Sequence, residues 1–270
     1  MEKGFGELFS QSWKEWKESK WLFFKLILIY FGVFIVSFLV IFLVGLSGNQ
    51  VVINLVSYLF QILIFAVNIF LTLSLIYIGF YKSVKKKMGI GTAIKESKKY
   101  FWKFLGLSIV LSLFLLGLFL LFIIPGIIFS IYWIFAVYIL IRENTGIMEA
   151  LRRSKMIVKG RWWKTFARMI LFGLIIMGIS IVFMIIPLIV IGAAGFSFAM
   201  AFVEGGLGIG SLVLMIVGVI LMVVFGIAQQ WVTLPLGILF FKNFYLDYRT
   251  NLLGDSNKPI LDKTKELNKN

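Results

Sequence analysis

Six long apolar runs separated by polar stretches organise the chain: Leu22 to Val44, Val52 to Ile78, Phe104 to Ile124, Ile127 to Ile141, Met169 to Val190 and Leu212 to Phe241. A bilayer core about 30 Å thick takes roughly 20 helical residues, so the runs predict six transmembrane helices. The fourth is the shortest: its 15 residues, at about 1.5 Å each, fall short of the core. It spans if Arg142 and Tyr132 snorkel, or if the Pro125-Gly126 turn sits below the outer surface and leaves a dip there. Pro187 and Pro235 lie inside apolar runs and predict kinks. The stretch from Gly192 to Gly210 is rich in Gly, Ala and Phe, holds Glu204, and pairs Gly206 with Gly210 at the spacing of close helix approach. It reads equally as a re-entrant segment or as a flexible cap.

A second pattern precedes the odd-numbered runs. Gly4, Gly89 and Gly146 each lie eight residues before a serine, Ser12, Ser97 and Ser154. Between them Leu8-Phe9, Ala93-Ile94 and Ala150-Leu151 occupy equivalent positions, and Glu7 matches Glu149 where Thr92 replaces the acid. Ser12 precedes Trp21 by nine residues, as Ser154 precedes Trp163, while Ser97 to Trp102 is about one helical turn shorter. Phe104 stands 21 residues before Pro125, as Phe166 does before Pro187. The first segment has an apolar face of Phe5, Leu8, Phe9, Ser12, Trp13 and Trp16, with Glu7, Lys14, Lys17 and Glu18 largely opposite. Such helices lie in the membrane interface. The predicted fold is therefore all-α: a polytopic membrane protein whose six transmembrane helices form three parallel repeats, each an interfacial amphipathic helix plus a transmembrane hairpin. The repeats cover about residues 1–81, 86–142 and 143–245 of a membrane domain ending near 250, and 251–270 is expected to be a polar, disordered tail.

Charge orients this arrangement. Of 27 Lys and Arg, 26 fall in residues 1–20, 82–103, 142–168 and 242–270, and the other is Lys25. The alternate loops hold none. By the positive-inside bias both termini and both basic loops are cytoplasmic, in a multi-pass protein of the cell membrane. Trp21, Trp102, Trp162 and Trp163 mark the cytoplasmic starts of the odd-numbered runs as belt anchors. The 21 positions before the first run are rich in charged and aromatic residues, so no cleavable signal peptide is expected and the chain should begin near Met1. Hydrophobic residues are 61% and charged residues 14%, a balance that requires lipid-facing surface. The net charge of +15 then reads as topology rather than as a nucleic-acid footprint, and no nucleic-acid partner is expected.

Cys and His are both absent, which excludes disulfides, thiol chemistry, imidazole base catalysis and the usual transition-metal sites. No catalytic, cofactor-binding or metal residue is predicted. The apolar runs contain no Asp or Glu, which argues against a carboxylate proton relay. Their polar residues include Gln61 and Asn68, seven apart on one face, and Gln229, Gln230 and Thr233 beside Pro235. These either bond between helices or line a polar cavity. In the second basic loop Glu143 and Glu149 lie where they can pair with Arg152, Arg153 or Lys159 and fix a loop helix. Arg152, Arg153, Lys155, Lys159 and Arg161, with Lys85 to Lys87 and Lys98-Lys99, are headgroup candidates, since each cation near an anionic surface contributes about 1 kcal/mol.

The succession of Pro125-Gly126, Glu143, Gly146, Glu149, Ala150-Leu151-x-x-Ser154, Lys159-Gly160 and Trp162-Trp163 resembles the membrane-domain family of glycerophosphoryl diester phosphodiesterases and related multi-span families, over about residues 90–190. The resemblance implies a six-span membrane module. It does not imply phosphodiesterase activity, because in that family the hydrolase is a separate soluble domain with acidic metal ligands and catalytic His. The expected function is non-enzymatic binding of lipid, anionic lipid above all, or of a membrane-protein partner or second copy through the basic cytoplasmic face. The alternative is a permease or channel for a small solute through a polar midplane cavity.

Overall fold

The computed structural model describes residues 2–81, 89–203 and 209–253, and these form helices without strands. In order they are α1 (Phe5–Gly45), α2 (Gln50–Tyr81), α3 (Ile90–Ser97), α4 (Phe101–Leu121), α5 (Ile123–Tyr132), α6 (Ala136–Glu143), α7 (Ile147–Val158), α8 (Trp162–Val203) and α9 (Ile209–Leu253). A single 3-10 turn, Lys98–Tyr100, joins α3 to α4. Six helical stretches, with α3–α4 and α5–α6 each counting as one, are long and apolar enough to cross a membrane, the pattern of a multi-pass membrane protein.

Several boundaries differ from the sequence reading. The first amphipathic segment is not a separate interfacial helix: α1 runs unbroken from Phe5 to Gly45. Its apolar face has protein to pack on, burying Leu8, Ser12 and Trp16. The stretch from Gly192 to Val203 continues α8, and Ile209–Gly210 already belong to α9, because a helix satisfies its own backbone where lipid offers no partner. Both helices pass through their prolines, Pro187 and Pro235. Residues 251–253 are the end of α9 rather than tail. Lys85 to Lys87, Glu204, Gly206 and residues 254–270 lie outside the described residues.

The turn between the third and fourth apolar runs falls at Phe122, whose backbone is extended, and not at Pro125-Gly126. Pro125 stands in the first turn of α5, where a missing N–H costs nothing because the first donors of a helix have no helical partner. Gly126 is required for a different reason: a Cβ there would come within 2.5 Å of the Phe119 ring. The fourth run is itself broken between Tyr132 and Ala136.

The chain divides into two compact units, one of residues 1–168 with 236–270, the other of residues 169–235. In the first, Gly4, Gly89 and Gly146 are the N-caps of α1, α3 and α7, all with extended backbone. Leu8, Ala93 and Ala150, four residues on, are fully buried, and so are Ser12, Ser97 and Ser154. Each serine meets a different helix. Ser12 accepts from Asn243 Nδ2 on α9 (3.0 Å), Ser97 Oγ lies 3.1 Å from Ser74 Oγ on α2, and Ser154 Oγ donates to the Tyr132 carbonyl (2.7 Å) while accepting from the Phe135 N–H (3.1 Å). The core between them is aromatic, with Phe80, Phe135, Tyr138, Phe244, Tyr245 and Tyr248 buried at ring separations of 4.7 to 6.5 Å.

In the second unit Gly218 admits the helix of Ile191, whose Cγ1 would lie 2.9 Å from a Cβ added there. Gln229 Nε2 donates to Ser180 Oγ at 2.9 Å, and Thr233 Oγ1 donates to the Gln229 carbonyl of its own helix.

Candidate functional site

The polar centre of the first unit starts from a carboxylate placed where it cannot reach water. Glu143 ends α6, Asn144 breaks the helix in the left-handed region at φ 50°, and Gly146 caps α7, so the chain reverses within four residues. The reversal lays α7 back against α6, bringing Arg153 onto Glu143 with both side chains almost wholly buried (2% and 4% exposed). Arg153 Nη1 donates to Glu143 Oε2, and Nε donates to Glu149 Oε1 at 2.6 Å, one helical turn back. The other Glu143 oxygen accepts from Tyr245 OH (2.8 Å) and Arg249 Nε (3.2 Å), both on α9. One carboxylate thus joins α6, α7 and α9. Isolated, it would bear a desolvation cost of several kcal/mol; two guanidinium groups and a phenol offset that.

Glu149 also takes Arg152 in a fork of two bonds, both 2.7 Å. Hydrogen bonds from Arg152, then from Arg153, hold its carboxyl down at about 2 against the opposing effect of burial. The same fork raises the Arg152 guanidinium.

The two faces of α7 separate these roles. Ala150, Leu151, Arg153, Ser154, Ile157 and Val158 are buried, whereas Arg152, Lys155 and Lys159 are exposed. Arg153 therefore belongs to the interior, and a headgroup role for it is withdrawn on burial and pairing. Arg161 is engaged too, 2.7 Å from Glu2 and stacked 5.1 Å from the Tyr248 ring centre. Lys155 Nζ stands over the rings of Phe129 and Tyr132, at 5.2 and 5.8 Å from their centres.

Beside Lys155 opens a slot of about 440 Å³ lined by Ile124, Ile127, Ile128, Tyr132, Trp162 and Trp163. Trp162 closes one wall by donating its indole N–H to the Ile128 carbonyl at 3.2 Å. Trp163 projects outward, 74% exposed. The slot itself is lined by two indoles, a tyrosine and branched aliphatic side chains, and Lys155 reaches its edge over the Tyr132 ring, an arrangement that suits an amphiphile with an anionic end.

The intramembrane polar candidates are divided between the two units. Gln61 and Asn68 are exposed on α2, while Gln229 and Thr233 bond locally in the second unit and Gln230 is exposed. Sequence reasoning missed Lys242, Asn243, Tyr245 and Arg249, assigning them to the charged margin of the last span. Their signal was the mixture of polar and aromatic residues in Lys242-Asn243-Phe244-Tyr245-Leu246-Asp247-Tyr248-Arg249, too dense for a merely orienting cluster. Compared with known protein families, curated proteins and solved structures, the chain matches none.

Proposed function

We propose that this chain is a non-enzymatic membrane module that binds anionic phospholipid on its basic, cytoplasmic face, with both termini on that side. Arg152, Lys155 and Lys159 hold the phosphate, and the slot beside Trp162 and Trp163 takes an acyl chain. The observation that carries this reading is the pinning of α7. Its inner face is locked by the Glu143–Arg153 pair and by Ser154, so the backbone that carries its outer cations is held in place, with Lys155 over the Tyr132 ring at the edge of the slot. Cations on a backbone fixed in advance lose less conformational entropy on binding than those on a free loop do. Repetition supports the reading: the common glycine cap, buried apolar residue four positions on and buried serine suit three copies of one helix-plus-hairpin unit, each docking its helix on a neighbouring copy.

The test is flotation of purified protein with sealed vesicles of phosphatidylglycerol and phosphatidylcholine, backed by native mass spectrometry of retained lipid. Replacing Arg152, Lys155 and Lys159 together by Gln should cut retained phosphatidylglycerol at least fivefold and leave phosphatidylcholine unchanged. Equal retention by the triple variant refutes the proposal.

A further inference from the structure

We infer that the hairpin of α4 and α5 beds into one leaflet of the membrane, the leaflet on the basic side, and turns back at Phe122 without reaching the opposite surface. Its partner is the acyl-chain layer of that leaflet, met through an exposed apolar stripe and tip. The chain then crosses the bilayer four times rather than six. The parity is unchanged, so the two flanking basic loops stay on one side.

The level of the membrane surface is fixed by charge. From Arg152 to Lys164 the chain exposes Arg152, Lys155, Lys159 and Lys164. An ion in the hydrocarbon costs about 2.5–3.5 kcal/mol, so this stretch lies at headgroup level or beyond it. The hairpin runs alongside the same stretch. A Cβ on Gly106 of α4 would lie 2.8 Å from Ile147, the first residue of α7. Ser154 bonds to Tyr132, Lys155 covers Phe129, and Trp162 bonds to Ile128. Only six residues separate Ile128 from the turn at Phe122, about 9 Å of helix. Had the hairpin crossed, its turn would stand some 30 Å from the tryptophan belt; instead Ile124 and Trp163 line one slot.

Length argues against a crossing on the α5 arm alone: α4, Phe101–Leu121, has 21 residues, about 31 Å of helix, and fits within one leaflet only when steeply tilted. From Gln50, the outer end of α2, to Ser74 is 24 residues, about 36 Å, enough to cross. From Ile123, the start of α5, to Phe135 at the Ser154 contact is 12 residues, with the helix broken at its end; that is about 18 Å, which is not enough.

The surface fits such a placement. Trp102, Ile109, Leu113, Leu116 and Leu120 form one exposed stripe along α4, each 52% to 78% exposed. The tip continues it with Leu121, Phe122, Ile123 and Ile124, each 68% to 72% exposed. Nine such side chains in water would be an aggregation surface, and a leaflet interior covers them.

Because the chain has no Cys, single substitutions report cleanly. Phe122→Cys and Ser47→Cys, the latter in the turn between α1 and α2, are tested in the full-length protein in sealed vesicles with a membrane-impermeant maleimide added to either side. A spin label on the thiol of the Phe122→Cys variant then reports depth by oxygen and nickel-chelate relaxation. The expected result is that Ser47→Cys reacts from one side, Phe122→Cys never reacts from that side, and the label sits within about 15 Å of the phosphates on the basic side, half the hydrocarbon thickness. Reaction of both positions from the same side, or a label in the leaflet that Ser47 faces, overturns the inference. The criterion compares Phe122 with Ser47 alone, so a wrong assignment of which face is cytoplasmic would exchange the compartments without touching it, and lipid retention by the triple variant is judged separately.

Discussion

Glu143 shows at the scale of one residue how a buried charge fixes a fold without adding much net stability. Its desolvation is offset only because Arg153 and Arg249 approach from two helices and Tyr245 donates as well. Removing one member leaves the others buried with a charge unmatched, which costs about 3–5 kcal/mol. Glu143→Gln should therefore lower the unfolding midpoint in detergent sharply, whereas Arg152→Gln, which breaks a half-exposed pair within α7, should lower it by much less, about 1 kcal/mol at most; scanning calorimetry of the two variants checks the contrast. Ser154→Ala should fall between them. It strands the Tyr132 carbonyl and the Phe135 N–H, with an expected loss of about 1–3 kcal/mol by the same measurement. The short-range half of this site was readable in the sequence, because Glu149 precedes Arg153 by one helical turn and Glu143 is the acid before the reversal. The α9 half was not: Tyr245 and Arg249 lie 102 and 106 residues from Glu143, and no local pattern announces a contact at that separation.

At the scale of elements, α7 is the helix whose own side-chain pairing responds to pH, because Glu149 bonds to Arg152 and Arg153 within it. The Glu149 carboxyl, at about 2 in the folded chain, rises to about 4.3 when unfolded. A lowered folded value means that the unfolded state binds the proton first, so the stabilisation is complete above about pH 5 and is lost as pH falls towards 2. Wild-type protein followed by tryptophan fluorescence should lose thermal stability between about pH 5 and pH 3, and Glu149→Gln, already lacking that contribution, should give a flatter profile over the same interval. Apolar runs and glycine caps made the elements legible, since hydrocarbon forces helices and a run of about 20 residues predicts one well. Their ends were less legible. Composition marks where lipid stops, whereas α1, α8 and α9 extend well past their apolar runs. Phe5 to Trp16 reads as an interfacial stripe until Phe240 is found against Phe5 and Asn243 against Ser12. Pro125-Gly126 reads as a turn because the pair favours turns, yet Pro also suits the start of a helix, and what α5 needs at Gly126 is the absence of a Cβ under Phe119.

At the scale of the whole molecule, the basic face and the apolar surface make stability a property of the membrane as well as of the chain. A ligand that binds the folded state alone raises its stability by RT ln(1 + [L]/Kd), about 2.7 kcal/mol at a hundredfold excess over Kd. If the pinned cations of α7 hold phosphate, protein in nanodiscs containing phosphatidylglycerol should unfold at a higher temperature than in phosphatidylcholine alone. The difference should shrink between about 0.05 and 0.5 M salt, because exposed charges are screened over a shorter distance as ionic strength rises. Substituting Arg152, Lys155 and Lys159 by Gln should abolish the lipid-dependent rise while lowering the midpoint in phosphatidylcholine only slightly, since the Arg152–Glu149 fork is lost but the buried Glu143–Arg153 pair stays intact. Arg153→Gln should lower the midpoint in both lipids, because it breaks the attachment that holds the outer cations in place. A triple variant that keeps the full phosphatidylglycerol effect would instead assign it to the other basic clusters acting as a diffuse charge, and the fixed geometry of α7 would then matter for folding alone.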